Sequence, residues 1–194
     1  MRSPLGRPEE CAPYCRSLAT RDKPKMSSTY TTARCACGRV ILGMRGAPII
    51  SVACYCDDCQ TGARQLEALP DAASVKDPDG GTRYLAYRKD RLEYLSGREN
   101  LQSLKIKPDS PTNRVVATCC NSAMYLGFDD SKHWIDVYHQ RIQGSIPPIQ
   151  LRICTRYKPA SANEPPTDVP AYPGYPFKLI SRLLAARIAM WLNI

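Results

Sequence analysis

The chain has 194 residues, 43% of them hydrophobic, and a net charge of +9. That length suits one domain of ordinary size with tails, and no uninterrupted apolar run reaches the roughly 18 residues of a membrane-spanning helix. The positive excess lies at the ends: residues 1–25 carry +3, residues 152–194 carry +4 and everything between carries only +2, so charge does not mark the centre as a nucleic-acid surface.

Residues 1–28 are polar, charged and proline-bearing, without periodicity, and are expected to be disordered. They contain no apolar stretch of the kind a secretory signal needs. A cytoplasmic or nuclear chain is therefore expected. Its ten cysteines should stay reduced, and their clustering reads as metal ligation rather than disulfide pairing. Met26 is an alternative start.

From Thr29 to about residue 158 the pattern is short β-branched and aromatic runs broken by Gly, Pro, Asp and Asn. Strands are expected over Val40–Met44, Ile49–Cys54, Arg83–Tyr87, Leu92–Leu95, Leu101–Ile106, Arg114–Thr118, Met124–Phe128, Ile135–Tyr138 and Leu151–Cys154, in a mainly β, antiparallel fold. One short helix is expected after the second cysteine cluster, in the stretch Asp57–Leu69, where Leu66 and Leu69 lie three apart among good helix formers. Pro70–Gly81 reads as a loop on its turn residues. Residues 159–176 hold six prolines and read as a semi-rigid extended linker. Residues 177–194 read as an amphipathic helix, which would pack on this domain or a second copy, or lie on a membrane surface.

Seven cysteines form three groups: Cys35-Ala-Cys37-Gly38, Cys54-Tyr-Cys56-Asp-Asp-Cys59, and the adjacent pair Cys119-Cys120. Zinc favours tetrahedral thiolate coordination, and structural sites close with four protein ligands. Two cysteines one or two residues apart can meet one ion from a tight turn, and Gly38 permits the positive φ such a turn needs. A strand ending at Cys54 and a helix starting near Cys59 would gather three sulfurs, leaving a fourth position for water or substrate, as in catalytic zinc. The first and third groups can supply a closed structural site. Cys11, Cys15 and Cys154 stand alone and read as small buried hydrophobes, although strand pairing could bring Cys154 near the others.

The sequences RCACGRV and ACYCDDCQ, followed by a late cysteine motif, resemble the glutathione-dependent formaldehyde-activating enzyme family (GFA), which also includes centromere protein V. The resemblance covers about residues 29–157. It implies a small β-tent-like zinc fold with one structural and one catalytic zinc. Cys35 and Cys37 match the first structural pair, and Cys54, Cys56 and Cys59 match the catalytic triad. The third motif departs from the family's C-x-x-C-G-T/S. Cys120-Asn121-Ser122 takes the place of its second half, and Ala117 stands where the first cysteine should be. Cys119 would substitute only if two adjacent side chains pointed the same way.

The resemblance implies a carbon–sulfur lyase that joins glutathione and formaldehyde as S-hydroxymethylglutathione. A competing reading is a non-catalytic zinc module that binds a partner through basic tails; a zinc ribbon reading nucleic acid fits the charge less well. Arg64 and Arg114 are candidates for holding glutathione's carboxylates, with surface or structural arginines as the favoured alternative. His133 and His139 are candidates for acid–base work or a fourth ligand, with surface or hydrogen-bonded histidines as the plain alternative. Asp57 and Asp58 suit the first turn of a helix.

Overall fold

A computed structural model describes residues 30–194 of the chain. The expected disordered tail at 1–28, with Cys11 and Cys15, lies outside the described residues. The protein is mainly β, with eleven strands in two sheets and two α-helices among the described residues. The strands are β1 (Tyr30–Arg34), β2 (Ile41–Arg45), β3 (Ile50–Cys54), β4 (Thr82–Arg88), β5 (Leu92–Ser96), β6 (Leu101–Leu104), β7 (Thr112–Ala117), β8 (Ser122–Phe128), β9 (Trp134–Tyr138), β10 (Ile142–Gln143) and β11 (Leu151–Ile153). The helices are α1 (Asp57–Glu67) and α2 (Phe177–Trp191).

Strands β10-β1-β2-β5 make a four-stranded sheet, and β11-β3-β4-β9-β8-β7-β6 make a seven-stranded one. All nine runs of β-branched and aromatic residues form strands, because such side chains fit a half-buried pleated surface. Two strands, β1 and β10, lie outside those runs. The expectation of an antiparallel fold needs one correction: β11 pairs with β3 in parallel, with Ile153 opposite Cys54. The long connection from β3 to β11 makes that direction reachable.

The seven-stranded sheet is covered on both faces, and the period-two alternation of its strands shows it. On β4, Leu85 and Tyr87 point into a core shared with Leu42 and Met44 of the smaller sheet. Tyr84 and Ala86 point the other way, into a core closed by Leu66 of α1 and Leu179 of α2. On β9, Ile135 and Val137 join the first core, which places Trp134, Asp136 and Tyr138 on the helical side. That alternation positions the site described below.

The proline-rich segment 159–176 runs beside β11. Arg152 N–H donates to the Pro170 carbonyl and Tyr172 N–H to the Arg152 carbonyl, and Cys154 N–H reaches Gly174. It delivers α2 onto the helical face. Leu179 is buried there, and burial of such a side chain contributes about 1.5–3 kcal/mol. Arg182 donates to Gln150 (2.7 Å) and Arg187 to the Ser131 carbonyl (3.1 Å). The opposite stripe of α2, Phe177, Leu184, Ile188 and Trp191, is exposed, reaching 83% at Phe177 and 82% at Trp191, and Ile180 lies between the two faces, half-exposed. No helix among the described residues is long and apolar enough to cross a membrane.

The two histidines bracket β9 and are both buried. His139, 4% exposed, has Nε2 2.9 Å from the Ser51 hydroxyl. Burial, with Arg83 adding repulsion, lowers its pKa to about 4. The unfolded chain would take up that proton near pH 6.5, so the stabilisation is complete above about pH 6.5 and is lost as pH falls towards 4. Its size is about 3 kcal/mol. Unfolding curves of the wild type and His139→Gln should therefore diverge by that amount between pH 7 and 4; parallel curves would refute the assignment.

Candidate metal centres

Two groups of cysteines have sulfurs that all lie within 4.8 Å of one another: Cys35, Cys37, Cys119 and Cys120, and separately Cys54, Cys56 and Cys59. Each group could hold a metal ion.

The first group joins two turns. After β1, Cys35 and Cys37 lie on a tight loop closed by Gly38 N–H to the Cys35 carbonyl (3.0 Å) and Cys35 N–H to the Val40 carbonyl (3.1 Å). Gly38 sits at φ 81°, and a Cβ there would run into the Arg34 guanidinium, so the turn requires glycine. Between β7 and β8, Cys119 and Cys120 lie on a second turn, whose Asn121 takes the left-handed conformation (φ 50°). Ala36 N–H donates to the Ser122 hydroxyl at 2.9 Å and ties the two turns together.

The sulfur separations are 3.6 Å for Cys35–Cys37, 3.3 Å for Cys37–Cys119, 3.9 Å for Cys35–Cys119 and 4.0 Å for Cys119–Cys120. Four sulfurs about 2.3 Å from one tetrahedral zinc would lie about 3.8 Å apart. The donor set therefore fits a thiolate-bound ion. Adjacent side chains do converge here, contrary to the expectation that they rarely point the same way: the turn bends the backbone between them. Burial, then the Cys37 and Cys35 thiols, push Cys119 up to about 12. Burial works against Cys120 as a thiolate, but the Ser122 hydroxyl and the Cys37 backbone N–H hold it down at about 6.

The second group sits on the helical face of the large sheet. Cys54 ends β3, Cys56 is the residue before α1, and Cys59 lies in its first turn. The Cys54 and Cys59 thiols pull Cys56 down to about 3, and the backbone N–H groups of Cys59 and Asp58 at the helix start add to it. Cys54 is pushed well up by hydrogen bonds with Cys154, Cys56 and Cys59, and by burial. Cys59 hydrogen-bonds with Cys54, which favours its thiolate, but Cys56 and burial outweigh this and push it up. The three packed thiols thus oppose one another's ionisation, Cys56 being favoured over Cys54 and Cys59, and a cation among them would favour the thiolate form of all three.

This triad opens into a cavity of about 510 Å³ with mainly apolar walls. Of the sequence candidates, Arg114 and Asp58 line it, while Arg64 does not and instead donates to Thr61 (2.9 Å). Neither His133 nor His139 lines it, and both are hydrogen-bonded as the plain alternative has it: His133 donates to the Leu183 carbonyl (2.7 Å), and His139 is held by Ser51. Asp57 is absent from the lining as well. Cys154 lies beside Cys54 through the β3–β11 pairing and interacts with its thiol, but it is outside the three-sulfur group.

Asp136 is a cavity-lining titratable residue that sequence reasoning missed. It stands on β9 in the cavity, between Trp134 and Tyr138 on the same strand face. Burial raises its carboxyl pKa to about 7. The signal was present: an acid in WIDVY alternates with two aromatics rather than with polar residues.

The sequence model described as "Glutathione-dependent formaldehyde-activating enzyme" matches residues 30–139, more than half of the chain. No curated protein matches the chain. A crystal structure of a Rhodobacter sphaeroides protein superposes with a TM-score of 0.44 at 14% identity, covering 72% of this chain and 98% of that one.

Proposed function

This chain belongs to the glutathione-dependent formaldehyde-activating enzyme family, and from that premise we propose that it is a zinc-dependent carbon–sulfur lyase, working in the direction of synthesis on a thiol and a small aldehyde. The observation that carries the reading is the three-sulfur triad facing a cavity, with a fourth side left open to a ligand. The four-sulfur group holds the structural zinc, and the triad of Cys54, Cys56 and Cys59 holds the catalytic one. Glutathione and formaldehyde are the pair that the family name suggests.

Zinc, when bound, supplies the positive charge that keeps a thiol ionised at neutral pH. The reaction forms a carbon–sulfur bond while the aldehyde's C=O π bond opens, and the proton lost from sulfur ends on that oxygen. Within the cavity Asp136 is the group placed to carry the proton. Arg114, whose Nη2 is fixed on the Asp58 carbonyl at 2.6 Å, offers positive charge to the developing oxygen anion or to a substrate carboxylate. Trp134 and the aliphatic residues of α2 exclude water from the same space.

The direct test is the consumption of formaldehyde by thiol in the presence of zinc-loaded protein, followed by NMR of the hydroxymethyl product. Acceleration over the uncatalysed addition supports the lyase; equal rates refute it. Asp136→Asn should lower turnover by about 10²–10³-fold with the metal content unchanged. An unaltered rate would remove Asp136 from the mechanism.

A second reading, a zinc-bound interaction module, draws on the exposed apolar stripe of α2. It predicts no turnover, and a triad needed only for folding.

A further inference from the structure

The cavity over the triad has walls of two origins. The cysteines, Tyr84, Arg114, Trp134 and Asp136 lie within the stretch matched by the family, whereas Tyr175, Leu179, Ile180 and Leu183 belong to the C-terminal segment beyond it. That segment is fixed in place. Leu179 is 6% exposed, the Leu183 carbonyl accepts from His133, and Gly174 accepts from Cys154 N–H. Apart from the Tyr175 hydroxyl, which interacts with Cys154, the face it turns to the cavity is hydrocarbon.

The charges lining the cavity are two carboxylates, Asp58 and Asp136, and two cations, Arg114 and Lys132. Lys132 is ion-paired with Asp130. Arg114 is 2% exposed; it gives Nη2 to the Asp58 carbonyl, and its Nη1 has no partner among the described residues. The Arg114 guanidinium, with both Nη1 N–H groups unpartnered, is the cavity's main provision for an anion, since Lys132 is already paired. Glutathione brings two carboxylates and an ammonium. If one carboxylate met Arg114, the other would face hydrocarbon, Asp136 or a lysine already paired with Asp130, and a desolvated unpaired charge is costly.

We infer that the thiol received by this site has an apolar body and carries at most one anionic group, and that residues 175–183 set this selectivity. The inference rests on the thiol–aldehyde reading above and specifies its substrate class. An aryl or alkyl thiol buries its body against Trp134, Leu179 and Leu183 and leaves no charge uncompensated. A single carboxylate on it would have Arg114 as partner.

The test is binding to full-length protein loaded with cobalt(II), read from the visible absorption bands of the ion, so that it is independent of turnover. The probes are 2-phenylethanethiol, 3-(mercaptomethyl)benzoate and glutathione. Both aryl thiols should saturate the spectral change at a concentration at least about tenfold below that of glutathione. Ile180→Lys changes a wall residue that is 52% exposed, so the fold should tolerate it. It should shrink the preference by about tenfold, mainly by improving glutathione. Glutathione binding as tightly as the aryl thiols in the wild type, or a preference unmoved by Ile180→Lys, would overturn the substrate class while leaving the thiol reading in place. A spectrum that no thiol perturbs would overturn both.

Discussion

Cys56→Ser is expected to abolish turnover, by about 10³-fold or more, while the protein remains folded. Cys56 is one of three sulfurs, and a serine hydroxyl does not ionise near neutral pH to replace it. Two thiolates then hold the catalytic ion too weakly to survive purification, so bound metal should fall from about two ions per chain to about one. The fold should survive for a local reason. Cys56 occupies the position just before α1, with extended backbone (φ −61°, ψ 157°), and serine is among the preferred residues there because its oxygen can accept from the first free N–H groups. The substitution removes a metal ligand and installs a good helix cap in one step. Metal analysis, a thermal melt and the formaldehyde–thiol assay on the same preparation check all three parts. A variant that unfolds would favour the triad as scaffold, and a folded variant with unchanged turnover would remove the triad from the chemistry.

The sequence was most informative where a short-range rule applied. Nine strands followed from β-branched and aromatic runs, and α1 from leucine spacing after a cysteine cluster. Strand β1, YTTAR, has only one aromatic and no aliphatic run; its pairing with β2 from Tyr30 to Arg34 makes it a strand. Strand β10 is two residues long, too short to leave a pattern. The parallel partnership of β3 with β11 depends on where a distant segment lands, and alternation within either strand carries no trace of it.

The cysteine clusters were legible for a similar reason, since C-x-C-G and C-x-C-x-x-C are local motifs. What joined Cys119 to Cys35 was a contact spanning 84 positions. The cavity was less legible still. Its C-terminal wall comes largely from a helix whose apolar residues favoured packing, on this domain or on a second copy, over a membrane surface, without saying which surface it would cover. Asp136 shows a different kind of miss. The two histidines flanking β9 have chemistry that invites attention, but they lie at the ends of the strand, where both are tied up, while the acid between them faces the site.

Cys119→Ser should act on the other half of the protein, and on folding rather than chemistry. Strands β1 and β2 belong to the four-stranded sheet and β7 and β8 to the seven-stranded one, so the four-sulfur group clamps the two sheets at one edge. Removing one ligand weakens an ion whose binding energy is also folding energy. The contacts that would remain between the sheets near that edge include the Ala36–Ser122 and Arg141–Ser122 hydrogen bonds and the packing of Ala33, Cys35 and Val40 in the inter-sheet core. A loss of about 3–5 kcal/mol is expected, which for a domain of this size lowers Tm by about 10 °C or more. Hydrogen exchange should accelerate first in β1 and β2, with α1 and the triad protected longer. Cys120→Ser discriminates within the pair. If all four sulfurs bind, it should match Cys119→Ser in Tm and in lost metal. If Cys120 serves only its hydrogen bond to Ser122, its variant should keep both ions and most of the wild-type Tm. Wild-type stability in the Cys119 variant would show that the sheets hold together without the ion, and the structural assignment of this group would fall.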